Sequence, residues 1–236
     1  MKHQRAFENL INLCLFFAII SRTDEWDFPH QFDYIHTRAT SGCWPAFETD
    51  IAEQAFAALE PGGWFESQEV DCKVCCDDGS LDPAGPLAKW SDDLIAASEK
   101  LGRPAILAAT LKEVYERVGF VDVQQRVLKM PINGWARDMR LREIGYLWGD
   151  NVFEGLAGFS YQLFSQAFEW TGPEIEVCYI PVIFIVAWAP LKKPAYEFLT
   201  FQVSLIDVRR DITNLRIHSY MPAYVVWGRK PYPGET

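Results

Sequence analysis

The stretch "AFAALEPGGWFESQEV", residues 55–70, decides how the chain is read. Its first part continues a helical spacing, Phe47, Ile51, Ala55 and Leu59, that gathers apolar side chains on one face. Pro61, Gly62 and Gly63 then end the helix and turn the chain. "WFESQEVD" (Trp64 to Asp71) follows as a strand with a polar end, and "FDYIHTR" (Phe32 to Arg38) precedes the helix as another. Strand, helix and strand joined by a tight turn predict an α/β domain with parallel strands.

Downstream, a polar loop "CCDDGSLDPAGP" leads into a helix with Leu87, Trp90, Leu94, Ala97 and Leu101 on one face, closed by Gly102. A second helix carries Leu107, Leu111, Val114, Tyr115 and Val118, with Gly119 as its C-terminal cap. "FVDVQQRVLKMPI" (Phe120 to Ile132) reads as a strand. Two aromatic-rich helical segments follow, about 136–148 and 152–170, with Gly149 and Gly155 as expected breaks. "IHSYMPAYVVWGRKP" (Ile217 to Pro231) closes the chain as a last strand.

The bulk numbers fit one domain: 236 residues, 49% hydrophobic and 23% charged. A formal charge of -10 with no basic run argues against direct nucleic-acid binding. Cys72 and Cys75 make a C-x-x-C, but no second pair and no close histidine pair completes a zinc site, so reduced thiols and no metal are expected. No Asn-x-Ser/Thr sequon occurs, which favours an intracellular protein, in the cytoplasm or nucleus. The N-terminal "MKHQRAFENLINLCLFFAIISR" has the outline of a signal peptide, with Glu8 beside its apolar run and no clean small-residue exit. The apolar run from Val177 to Pro190 is too short for a membrane span and holds Pro181, so no membrane association is expected.

"EWDFPHQFDYIHTR", "AFAALEPGGWFESQEV", "AGPLAKWSDDLIAASEKLGRP", "VGFVDVQQRVLKMPINGW" and "IHSYMPAYVVWGRKP", in this order, resemble the fungal LaeA-like, S-adenosylmethionine-dependent methyltransferases of class I. The resemblance implies a Rossmann-like α/β sheet of order 3-2-1-4-5-7-6 with the last strand antiparallel. "FDYIHTR" would be strand four, "WFESQEV" strand five, "FVDVQQRV" strand six and "AYVVWGRKP" strand seven, with a helical lid between strands six and seven. The family's glycine-rich loop after strand one and the acid ending strand two have no counterpart before Asp24. The fold implied is therefore partial: strands four to seven retained, one to three missing, and donor binding impaired.

Ligands of open α/β sheets sit beyond the carboxyl ends of the strands. By the resemblance, that places Tyr34, Ile35, His36 and Arg38 beside S-adenosylmethionine, with Gln68 and Glu69 across from them on the substrate side. His36 is the candidate base, or else a histidine that satisfies strand-end backbone or touches the cofactor. Arg38 could pair with the donor's carboxylate, with an acidic substrate, or with Asp33 or Glu69, and Trp26 could stack near adenine or belong to the core. Trp135, Tyr146 and Trp148, with Phe159 and Tyr161, could line an aromatic acceptor pocket or pack the lid. The acceptor itself is not specified, and protein partners remain open alongside it. Either a methyltransferase with an impaired donor half or a non-catalytic remnant acting through protein contacts fits these residues, and the two apolar runs leave a third reading, a secreted or membrane-tethered protein.

Residues 1–23 are expected to lie outside the family domain, 24–231 to be its C-terminal part, and 232–236 a tail. Within it, residues 177–202 look inserted, because "EIEV" (Glu174 to Val177) should run almost directly into "LIDVRRDI" (Leu205 to Ile212). Val177-Cys178 is compatible with GTATGT, Phe201-Gln202 with TTTCAG and Leu199-Thr200 with a CTAAC branch site, over 26 in-frame codons. The segment therefore reads as a translated intron, and residues 1–23 as a second boundary error. Sequencing of transcripts should show 177–202 spliced out and an in-frame exon with a glycine-rich loop upstream of Asp24. Reads that retain the segment, or codons incompatible with GT…AG, would reject the idea.

Overall fold

The computed structural model describes residues 26–168 and 205–235. The N-terminal apolar run and the segment 177–202 lie outside these residues. Strand β1 (Phe32–Arg38) falls where the sequence puts it. A turn of π-helix (Glu48–Ala52) runs into α1 (Glu53–Ala58), and β2 spans Leu59–Val70. Strand β3 is the pair Cys75–Cys76, followed by α2 (Pro86–Lys100), a 3-10 turn (Ala108–Thr110) and α3 (Leu111–Val118). The chain continues through β4 (Val121–Pro131) and α4 (Met139–Phe168), then α5 (helical residues 205–213) and β5 (Ser219–Arg229).

β1 pairs with β2 in parallel, and β5 lies antiparallel between β2 and β4. The order β1-β2-β5-β4 is that of strands four, five, seven and six of the class I sheet, with the last strand reversed as expected. The fold is thus α/β, a partial Rossmann-like sheet with helices. β3 pairs with the start of β5, at Tyr220 and Ser219, beyond the point where β2 has ended.

Two cores hold these layers together. On one face of the sheet Ile35, Phe65 and Val226 meet Phe47, Ile51 and Ala55, and Leu111, Val114 and Tyr115 of α3. The Tyr115 ring stacks on Phe65 at 4.8 Å, and its hydroxyl bonds Ser67 (2.8 Å), which bonds Thr37 (2.7 Å). That buried polar chain ties α3 to both parallel strands with every member partnered. The second core joins α2, α4 and α5 through Leu87, Trp90, Leu94, Val152, Leu156, Phe164 and Val208, with Met221 from β5.

The structure differs from the sequence expectation in two places. β2 begins at Leu59 rather than Trp64, so Pro61-Gly62-Gly63 form an irregularity inside the strand, with Gly62 at φ +86 and its N–H bonded to the Lys230 carbonyl. The second is that α4 is continuous through Gly149 and Gly155. A helical glycine costs only about 1 kcal/mol relative to alanine, which packing overrides. Here the packing is visible: a Cβ on Gly145 would stand 2.1 Å from the Asn133 carbonyl oxygen, and one on Gly149 2.2 Å from that of Ile132. These glycines let α4 lie directly on the backbone that leaves β4.

Among the described residues, nothing stands within 4 Å of a Cβ placed on Gly158 of the same helix. Gly145→Ala should therefore destabilise the chain by about 1–3 kcal/mol through overpacking, whereas Gly158→Ala should stabilise it by up to about 1 kcal/mol. Urea unfolding of the two variants checks this; a shift of the same sign in both would refute the close-approach account.

Candidate active site

The carboxyl ends of β1 and β2 point the same way because the strands are parallel, so the loops that leave them converge. Side chains alternate along each strand. Ile35 and Thr37 go to the helix-covered face, whereas Tyr34 and His36 share the other face with Gln68 and with Glu66, the register partner of His36 on β2. Trp227 of β5 lies opposite Glu66, and Arg126 of β4 stands over the Trp227 ring at 5.9 Å.

His36 sits on this face with its side chain 8% exposed, stacked against Tyr34 at 6.3 Å. Its Nε2 is 4.0 Å from Glu66, and neither ring nitrogen has a hydrogen-bond partner among the described residues. Burial lowers the His36 pKa, partly opposed by Glu66, which keeps the imidazole neutral near pH 7. The Tyr34 hydroxyl is raised, by burial first and then by Glu66, so it stays protonated. Glu66 itself accepts a hydrogen bond from Gln68 Nε2 at 2.7 Å. Arg38, at the end of β1, is exposed.

Glu69 is 1% exposed and turned to the opposite side from Gln68. Its carboxylate accepts from Thr40 N–H (2.7 Å), Thr40 Oγ1 (2.8 Å), Ser41 N–H (2.8 Å) and Ser41 Oγ (3.1 Å). The chain reaches this cradle through Ala39, whose φ of +52 is costly for a residue with a Cβ. Burial raises the Glu69 pKa, and the four hydrogen bonds pull against it. Three of these bonds fall on Oε2 and one on Oε1, so the loop after β1 holds both carboxylate oxygens.

The structure therefore brings Tyr34, His36, Glu66 and Gln68 together, while Ile35 belongs to the core and Glu69 to the loop after β1. Trp26 also packs at the core's margin, edge-on to Phe28 at 5.8 Å, with its backbone N–H on Gln54. Three of the aromatics expected at the acceptor side have contacts of their own. Trp135 donates its indole N–H to the Ser219 carbonyl at 2.9 Å, Tyr146 lays its ring on Gly134, and Trp148 packs on the second core. Gln68 pairs with Val225, so Ser219 lies six residues further along β5, up to about 20 Å at the rise of a strand. The sequence places these two groups on one side of the sheet; only the register reveals their separation.

Sequence reasoning passed over two groups. Glu66 alternates with Gln68 on the same face, a period-two signal that was available. Asp71, just past β2, is buried and accepts from the Ala108 N–H at 3.0 Å; nothing in the sequence marks its partner. Burial, outweighing the bonds from Ala108 and Ala109, pushes its carboxyl up to about 6. A carboxyl that holds its proton more tightly when folded favours the fold at low pH, and that contribution is lost as pH rises through about 6. Asp71→Asn, which keeps an acceptor for Ala108, should gain thermal stability relative to the parent chain between pH about 4 and 7. Parallel melting-temperature profiles for the two chains would contradict this origin.

The same edge can be compared with known proteins. No protein-family model matches the chain. Methyltransferase pytC of Aspergillus terreus is 33% identical over 164 residues, 68% of this chain and 49% of that protein. "Probable methyltransferase tdiE" of Emericella nidulans is 31% identical over 209 residues, 88% of this chain and 57% of the relative. "Protein-methionine methyltransferase laeA" of the same organism is 27% identical over 92% of this chain and 51% of its own length. The chain thus spans about half the length of the curated relatives it matches. Their sequence similarity and the strand order observed here agree, and the chain is a LaeA-like relative within the fungal methyltransferase family.

Proposed function

We propose that the chain carries the acceptor-side half of an S-adenosylmethionine-dependent methyltransferase that acts on a small molecule or a protein in fungal secondary metabolism, and that by itself it is impaired in donor binding. The reading rests on one observation above others: the β1-β2-β5-β4 order, with His36 and Tyr34 of β1 on the same face as Glu66 and Gln68 of β2. The relatives' names support the reaction class. One of them names a protein methionine as acceptor, and others are secondary metabolism regulators. An intracellular site of action, cytoplasmic or nuclear, goes with that role. Among the described residues no helix is long and apolar enough to cross a membrane.

S-adenosylmethionine, when bound, supplies an electrophilic methyl on a sulfonium. Holding it calls for a carboxylate on the ribose and free backbone N–H groups for the amino-acid end. The described residues do not fit the whole group. Glu69 and Asp71, the carboxylates at the end of β2, are engaged by backbone amides, and the amides of Thr40 and Ser41 are spent on Glu69. What these residues can do is narrower: His36, neutral and without a hydrogen-bond partner among the described residues, is the base of this reading and could take a proton from an acceptor bound on the Tyr34 face. Gln68, fixed by Glu66, could orient it.

The same occupied carboxylates favour a second reading, a non-catalytic remnant that works through protein contacts. The outer side of α4 supplies apolar surface for it, with Met139 81% and Leu147 68% exposed. Calorimetry of this chain with S-adenosylmethionine tests the impaired donor binding that both readings share. No heat of binding at micromolar concentrations is the expected result; a micromolar dissociation constant would overturn the impaired-donor reading.

A further inference from the structure

At the far end of β5, where β2 has already stopped, three loops meet around His218. Its Nδ1 bonds Asp78 Oδ2 at 2.5 Å, and its backbone N–H donates to Ser80 Oγ at 2.8 Å. Asp78 is itself fixed: Oδ1 accepts from the Ser80 N–H at 3.0 Å and from Cys76 Sγ at 3.1 Å. These bonds hold its carboxyl well below the usual range, that to His218 foremost. The Trp135 ring lies 5.0 Å from the imidazole, tilted by 32°. That indole is held at both ends, by its N–H on Ser219 and by its backbone N–H on Asn133 Oδ1.

Asn133 in turn clasps the end of α5 and the turn into β5 through the carbonyls of Ile212, Asn214 and Ile217. The neighbouring charges are settled among themselves, Asp77 taking Lys129 and the Tyr220 hydroxyl. His218 is left with its imidazole 39% exposed. In the neutral imidazole, a carboxylate on Nδ1 selects the tautomer that carries its proton there, and Nε2 is then the acceptor. A histidine oriented by a fixed carboxylate beside an aromatic platform is the arrangement of a general base. A bare surface ion pair has no need of the Ser80, Cys76 and Asn133 supports.

We propose that His218, oriented by Asp78 and flanked by Trp135, forms a second ligand site for planar aromatic molecules that carry an ionisable hydroxyl. The ligand ring packs by Trp135, and its O–H donates to His218 Nε2. On transfer the proton passes to Nε2, the negative charge stays on the ligand oxygen, and the imidazolium is neutralised by Asp78. His218 lies nine residues before Trp227, the cross-strand partner of Glu66 beside His36, so the site does not depend on the methyl-transfer reading.

The probe is 4-nitrophenol, whose phenolate absorbs visible light, mixed with the full chain just below the pKa of the free phenol. The protein should raise the probe's ionisation ratio about tenfold, one pKa unit. His218→Gln should abolish the effect, and Asp78→Asn should remove most of it while the imidazole remains. Trp135→Ala should lose it and Trp135→Phe retain it, with circular dichroism confirming the fold of each. Nitrogen-15 NMR of the parent chain should show His218 protonated at Nδ1. An unchanged probe spectrum, a response that survives His218→Gln, or protonation at Nε2 would overturn the proposal. Because the assay contains no methyl donor, its outcome is separate from that of the calorimetric test.

Discussion

Parallel pairing of β1 with β2 is the constraint on which the rest of this structure depends. Parallel strands send both their carboxyl ends to one edge, and there the backbone must leave the sheet without burying unsatisfied amides. Glu69 solves this locally. Its buried carboxylate takes the two amides and two hydroxyls of Thr40 and Ser41, so the loop after β1 folds back onto the end of β2. Desolvation opposes keeping a charge there, and the four donors compensate. The consequence bears on function, because a ligand that bound Glu69 would have to share the carboxylate with these four donors.

A similar trade governs the other end of the molecule. Gly145 and Gly149 bring α4 onto the carbonyls of Asn133 and Ile132, which buries the backbone leaving β4 and fixes Trp135 nearby. Asn133 then ties that loop to the turn before β5. The extended β4–β5 pair carries this assembly well past the end of β2. Two chemically distinct edges result, one around His36 and one around His218, joined by a single long strand.

Much of the fold was legible in the residues. β1, α2, β4 and β5 lie where alternation, helical spacing and the glycine stops put them, and Gly119 caps α3 in the left-handed conformation as its position suggests. The strand assignments drawn from the family resemblance also agree with the pairing. The misreadings share one cause. Gly62, Gly63, Gly149 and Gly155 look like breaks locally, but cross-strand pairing absorbs the first two, and helix propagation carries through the others at modest cost.

The candidate site was legible only in part. Residue type and strand position brought out His36, Tyr34, Gln68 and Glu69, because polar groups at strand ends are a one-dimensional signal. Their roles were not, because a role depends on partners: Glu69 is held by residues 28 and 29 positions away, and His36 has no hydrogen-bond partner on either ring nitrogen among the described residues. His218 and Asp78 are 140 residues apart, and no local pattern links them. The α/β class and the order of elements could be read from the residues alone, since they depend on periodicity and residue type along the chain, and the kinship from the resemblance of whole motifs. Tertiary structure alone decided the strand register, the burial of each carboxylate and which histidine acquired an orienting acid, since those depend on contacts between segments remote in the chain.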